Sequence, residues 1–286
     1  MVSRLVAPHG VLTLLTNTLY HLGFTSSLAD PYVGYKTSIK PDGTEYYQYV
    51  LVYVDDLLVL SHDPEKNHEV IEAFYRLKDG YTKLDRYLGA EVKQWCFPEN
   101  SYKTVWALSS RQYVKEAVRT VESHLQKQNR GLPKVNQPLP SDYSPELDIS
   151  PVLNDDDTNL YQSYVCVLLW ILELGSLDIY APVAFLSSFL TNPRVGHLEA
   201  VYQIFGYLKR HDKSTMVFDN TYIHFRDSDF PTYDWSEFNR GATEDLPLYM
   251  PPPRGQLVQM NVFIVSSHAR NKLNSRSHTG VLIYLN

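Results

Sequence analysis

Residues 46–60 hold two β-rich runs, Tyr49 to Val54 and Leu57 to Leu60, with Asp55 and Asp56 between them. That pattern predicts a hairpin. Strands this apolar read as buried on both faces. Upstream, residues 11–24 are expected to form a short helix ending near Gly23. Downstream, Asp63 suits an N-cap and Pro64 the first helical position. Val70, Ile71, Phe74 and Leu77 then recur at helical spacing, and Gly80 is placed to close that helix. Residues 85–95 and 103–109 read as strands. A second amphipathic helix is predicted from about Arg111 to Gln126, with Val114, Ala117, Val118, Val121 and Leu125 on its apolar face. The pattern breaks over residues 131–160, where five prolines and few large aliphatics suggest a linker or an extended connection. A helix-rich block follows at about 161–212. Residues 221–256 read as irregular, and 256–265 and 279–285 as two closing strands. There is no internal repeat.

Composition adds bounds. The chain has 286 residues, 44% hydrophobic and 20% charged, as expected for one large or two modest globular domains. A net charge of −6 excludes a global positive field drawing it to nucleic acid or membrane, so any nucleic-acid contact must come from a local patch. Cys96 and Cys166 form no CxxC pair, which favours a reducing compartment. No apolar run reaches the roughly 18 residues of a membrane span. The apolar stretch at 165–190 is interrupted by Glu173 and Asp178, and the N-terminus lacks a signal-peptide core.

The Asp pair is the sharpest chemical signal. Asp favours turns, and two solvated carboxylates at a hairpin tip are one explanation. Tight two-residue turns, however, prefer Asn-Gly or Asp-Gly. Two like charges between buried strands also repel and resist desolvation. A divalent cation removes both problems: Mg²⁺ takes one or two carboxylates and completes its octahedron with waters and substrate phosphates. This combination points to phosphoryl transfer.

Tyr53-Val54-Asp55-Asp56 is similar to the Tyr-x-Asp-Asp box of reverse transcriptases, and "LVYVDDLLVLS" (51–61) resembles the box of Ty/copia-type LTR retrotransposon polyproteins. "LGFTSSLADPYV" (22–33) resembles the stretch preceding that box, and "DRYLGAEV" (85–92) the palm strand following it. "PRVGHLEAVYQIFGYLKRH" (193–211) resembles the segment leading to the family's RNase H, and "RSHTGVLIYLN" (276–286) a strand of that domain. The resemblance implies an α+β fold. Residues 1–130 would be a partial reverse-transcriptase palm, an antiparallel sheet with helices, and a thumb. A Pro-rich connector would occupy 131–160, a connection-like helical region 161–255, and the start of RNase H, a β-hairpin, 256–286. It implies RNA-directed DNA polymerisation with two Mg²⁺ ions, or Mn²⁺. Asp55 would ligate metal, Asp56 would support the site and Tyr53 would pack near the primer terminus. Implied partners are an RNA or DNA template–primer, dNTP and an intact retroelement polymerase, in an intracellular setting without membrane.

Against the family's pattern, residues 1–24 contain no acidic residue. The earlier palm strand with its third carboxylate, and the fingers, are therefore expected to be missing. Loss of one metal carboxylate costs several kcal/mol of transition-state stabilisation, on the order of thousands-fold in rate. Aligning residues 261–271 with the RNase H Asp-x-Asp stretch places Val265 and Ser267 at the acidic positions, so no RNase H activity is expected. A partial palm would leave sheet edges exposed and the chain prone to aggregate. The second hypothesis is a non-catalytic nucleic-acid-binding or assembly protein derived from a retroelement.

Other candidates carry less. Arg111, Lys115 and Arg119 recur every four residues and share a helix face that could track a phosphate backbone. A solvated helix face, diluted by Glu116 and Glu122, is the simpler reading. Lys209, Arg210 and His211 end a helix and complement its dipole. His62, Asp63 and His68 lack the spacing for a shared metal. Trp95, Trp106, Trp170 and Trp235 are expected in the core.

Overall fold

In a computed structural model the chain is described over residues 2–5, 11–97, 100–221, 234, 236–239, 248–255 and 257–285. Its elements in chain order are β1 (Val2–Leu5), α1 (Val11–His21), β2 (Thr25–Ser26), β3 (Val33–Ile39), β4 (Glu45–Tyr53), β5 (Asp56–Leu60) and α2 (Pro64–Glu72). Then come β6 (Leu77–Thr82), β7 (Arg86–Tyr87), β8 (Ala90–Phe97), β9 (Asn100–Ser109) and α3 (Arg111–Lys127). The remainder holds α4 (Asp155–Glu173), α5 (Tyr180–Ser187), α6 (Val195–Arg210), β10 (Thr215–Phe218), α7 (Ser236–Asn239), β11 (Met260–Ser266) and β12 (Thr279–Leu285). The protein is mixed α+β, and every strand pair with an assigned register is antiparallel.

Two compact units divide the chain. One contains residues 6–76, 220–263 and 282–286; the other contains 1–5, 77–219 and 264–281.

In the first unit β2, β3, β4 and β5 follow one another in the sheet. Burial along β4 alternates: Gln48, Val50 and Val52 are buried, while Tyr49 and Tyr53 are exposed. This corrects the expectation of strands covered on both faces. Only β5 meets it, with Leu57, Leu58 and Val59 all buried. Val50, Val52, Leu57 and Val59 are buried on the covered face, and Leu15 and Leu19 of α1 and Ile71 of α2 are buried in the same unit. Asp63 caps α2 by accepting from the Lys66 N–H, and Pro64 opens it, as its sequence signals predict. The helix stops at Glu72, short of the expected end. Phe74 is exposed, and Leu77 is buried in β6, where it pairs with Leu5. Gly80, with φ +70°, lies within that strand rather than closing the helix.

The second unit is held by helices. Val114, Val118, Val121 and Leu125 of α3 pack into one cluster with Tyr161, Leu168 and Ile171 of α4, Val183 and Leu186 of α5, and Val201, Ile204, Phe205 and Leu208 of α6. Beside them a sheet runs in the order β10-β9-β8-β7. The stretch read as one strand at 85–95 is a hairpin. Leu88 and Gly89 both have positive φ, the signature of the tight turn whose twist suits flanking strands. The Pro-rich stretch is shorter than expected and packed. Asn154 already caps α4, Leu139 and Pro145 are buried, and the Pro133 carbonyl meets α6 at Gly206. The described tryptophans are not core residues: Trp106 is 48% exposed and Trp95 and Trp170 are half-buried; Trp235 lies outside the described residues. β11 and β12 pair as a two-stranded ribbon whose residues are almost all exposed or half-buried.

Candidate metal centre at a strained hairpin tip

The tip of the β4–β5 hairpin is a two-residue turn. Tyr53 pairs with Asp56 across the strands, leaving Val54 and Asp55 as the turn residues. Val54 has φ +53°. A β-branched residue there is a true outlier, at a cost of about 1–3 kcal/mol. Its side chain is 64% exposed, so core burial does not repay that cost. Asp55 and Asp56 are both half-buried, and each has a partner within the folded chain. By register, Asp56 shares a sheet face with Tyr53, Leu51, Tyr49 and Tyr47. That face carries an aromatic row, with Tyr47 edge-on to Tyr35 at 5.6 Å and tilted against Tyr49 at 6.5 Å. Alternate tyrosines in β4 were a legible signal, obscured by reading both faces as buried.

Two half-buried carboxylates at one turn fit a hard divalent cation that also takes oxygens from a bound phosphate. Among the described residues no group of three His, Cys, Asp or Glu side chains suited to a metal is found. A cation held by these two carboxylates would complete its shell with substrate oxygens and water. His62 and His68 join no such group either.

The basic row is not an open cationic face. Asp212 Oδ2 lies 3.2 Å from Arg111 Nε and 3.7 Å from Lys115 Nζ. Arg119 lines a groove between α3 and the end of α6 that also contains Lys115, Glu122, Lys209 and Asp212. Lys209 is tied to Glu122 at 2.5 Å, a bond to α3 that adds to any dipole role. At the expected RNase H positions, Val265 is exposed on β11, and the Ser267 backbone N–H donates to the His278 carbonyl. Among the described residues no helix is long and apolar enough to cross a membrane.

The chain is 31% identical over 198 residues to the putative transposon Ty5-1 protein of Saccharomyces cerevisiae, covering 68% of this chain and 58% of that protein. It is 28% identical over 205 residues to the retrovirus-related Pol polyprotein from transposon RE1 of Arabidopsis thaliana, covering 71% of this chain and 12% of that protein. The chain is a homologue of Ty/copia-type retrotransposon polyproteins. It spans less than two thirds of the length of either relative. No family model and no solved structure matches it.

Proposed function

We propose that this retroelement homologue carries the metal-binding turn of an RNA-directed DNA polymerase of reverse-transcriptase type. The sheet from β2 to β5 then corresponds to a palm, and α3 to part of a thumb. One observation carries the reading: adjacent carboxylates at a two-residue turn held in a strained conformation, between strands whose other face is core. Asp55 and Asp56 would hold Mg²⁺ or Mn²⁺. The bound ion supplies charge neutralisation at the phosphate being attacked. The chain's own contribution is to fix Asp55 in the turn and Asp56 at the first position of β5, and to offer Tyr53, 45% exposed and opposite Asp56, as aromatic surface, with Tyr49 further along the same face. Such surface suits a base or sugar at a primer end. The partners on this reading are template–primer and dNTP.

Electron paramagnetic resonance of Mn²⁺ is the direct test. The intact chain takes up the ion, and Asp55→Asn with Asp56→Asn weakens uptake by at least about tenfold, since each removes a charged ligand. Primer extension in Mg²⁺ or Mn²⁺ is run on the same proteins. Extension that survives Asp55→Asn would end the polymerase reading.

The alternative, a non-catalytic binding protein relying on α3, is weakened because Asp212 already engages Arg111 and Lys115. Both readings share one expectation about that face. Asp212→Asn should free two cations, tighten binding to a single strand and steepen the salt dependence of log K by roughly 1.4, at about 0.7 per phosphate contact. Filter binding across a salt series measures the slope; an unchanged slope removes α3 from the interface.

A further inference from the structure

At the opposite end of the hairpin, where β4 begins and β5 finishes, a cleft of about 490 Å³ opens within the same unit. Lys36 of β3, Lys40 of the β3–β4 turn and Lys66 of α2 line it. The Lys36 ammonium donates to the Leu22 carbonyl at 2.7 Å and sits 5.7 Å from the centre of the Phe24 ring. Lys40 Nζ stands 5.9 Å from the Tyr46 ring centre. Among the described residues none of these three ammonium groups is in an ion pair. Lys103, Arg111, Lys115, Arg130 and Lys209 of the other unit all are. The carboxylate lining the cleft is Asp63, which is committed to the Lys66 N–H at 3.3 Å. Asp42, on the turn beside Lys40, accepts from the Thr44 N–H and is near enough to feel the Lys40 charge, without forming an ion pair with it.

The polar wall is organised. The Tyr46 oxygen accepts from the His62 N–H at 3.2 Å and lies 3.1 Å from the Ser61 hydroxyl, which donates to Gln48 Oε1. Asn67 Nδ2 donates to the same Gln48 oxygen. Burial opposes ionisation of the Tyr46 phenol, yet its hydrogen-bonded neighbours Ser61, Ser38 and the His62 N–H hold it below its ordinary range. Leu22, Phe24, Val70 and Ile71 supply its apolar lining, with Leu22 and Val70 the accessible members and Phe24 and Ile71 buried behind them.

We propose that this cleft binds a small organic phosphate bearing a flat ring, of the class of a nucleoside monophosphate. The lysines would take the phosphate, and the accessible apolar lining at Leu22 and Val70 the ring. The volume lies in the range of small-molecule sites, and it admits one nucleotide rather than a strand. The site is independent of the Asp55–Asp56 tip and needs no metal.

Calorimetric titration with adenosine 5′-monophosphate in EDTA tests it, on the full chain. Saturable binding is expected. It should weaken at least about tenfold in Lys40→Gln/Lys66→Gln, which removes two charge-assisted contacts. Neither lysine is buried, and circular dichroism verifies that the variant folds. Adenosine and inorganic phosphate should each bind at least about tenfold more weakly than the nucleotide, because each makes only half the contacts. Asp55→Asn should bind as the parent does. The proposal falls if the nucleotide does not saturate at millimolar concentration. It falls equally if the double variant binds unchanged, if Asp55→Asn abolishes binding, or if a short single strand binds more tightly than the monophosphate.

Discussion

Gly206→Ala should unfold the helical unit at denaturant concentrations that leave the parent intact. A Cβ at Gly206 of α6 would overlap the Pro133 carbonyl oxygen and crowd the carbon behind it. The obstruction is backbone from another segment, so no rotamer change relieves it. α6 contributes buried Val201, Ile204, Phe205 and Leu208 to the cluster. Displacing the helix therefore disturbs packing along its whole length, at a cost of about 3 kcal/mol or more, roughly a hundredfold in the folding equilibrium. The sign is informative. Alanine is normally the better helix former by about 1 kcal/mol, so stabilisation would disprove the close approach. Gly131→Ala is the control, since a Cβ there meets nothing within 4 Å. Urea unfolding followed by far-ultraviolet circular dichroism separates the two variants.

Alkaline pH should have an effect of similar size on the same unit. Its core is rich in phenols. Burial, with the negative charges of Asp148 and Glu146 nearby, raises Tyr143 well above the ordinary tyrosine range. Burial also raises Tyr161, whose hydroxyl donates to the Leu186 carbonyl at 2.6 Å. A phenolate could not make that bond. Burial pushes Tyr202 up to about 12, helped by Tyr164. A folded pKa above the unfolded value means that the native state holds the proton more tightly. The stabilisation is then complete below pH 10 and is lost as pH rises through 12. For buried Tyr202, two units correspond to about 3 kcal/mol lost over that window, and Tyr161 adds to it at higher pH. The expected result is cooperative unfolding above pH 10, seen as late, simultaneous ionisation of several phenols in ultraviolet difference spectra. Tyr161→Phe should shift that transition to higher pH. A gradual titration of all phenols near 10, with helicity retained, would contradict the packing described.

How legible this molecule is from sequence depends on where each residue's partner lies along the chain. The hairpin around Asp55, the start of α2 at Asp63 and the apolar face of α3 were readable because their determinants are local: turn, cap and helical period. Leu77 was misread because its spacing from Ile71 and Phe74 fits a helix, while the partner that makes it a strand residue is Leu5. The 131–160 segment looked like a linker because it has few large aliphatics. Its anchoring through Leu139, Tyr143 and Pro145 depends on helices encoded later. The basic row on α3 was visible, but Asp212, which engages it, sits two helical elements and a loop beyond α4. The lysine-lined cleft was not visible at all, since Lys36, Lys40 and Lys66 converge only once β3 and α2 flank the same hairpin.

Val54 gives this chain an evolutionary clock. Its left-handed backbone is a standing burden that glycine or asparagine at the same place would lighten. In a copy free of selection on this turn, exchanging valine for glycine or asparagine costs the fold nothing, so it is tolerated as readily as loss of the acids. Sibling copies in one genome that have exchanged this valine for glycine or asparagine should therefore be those whose neighbouring acids have also eroded. Copies that keep valine should keep both.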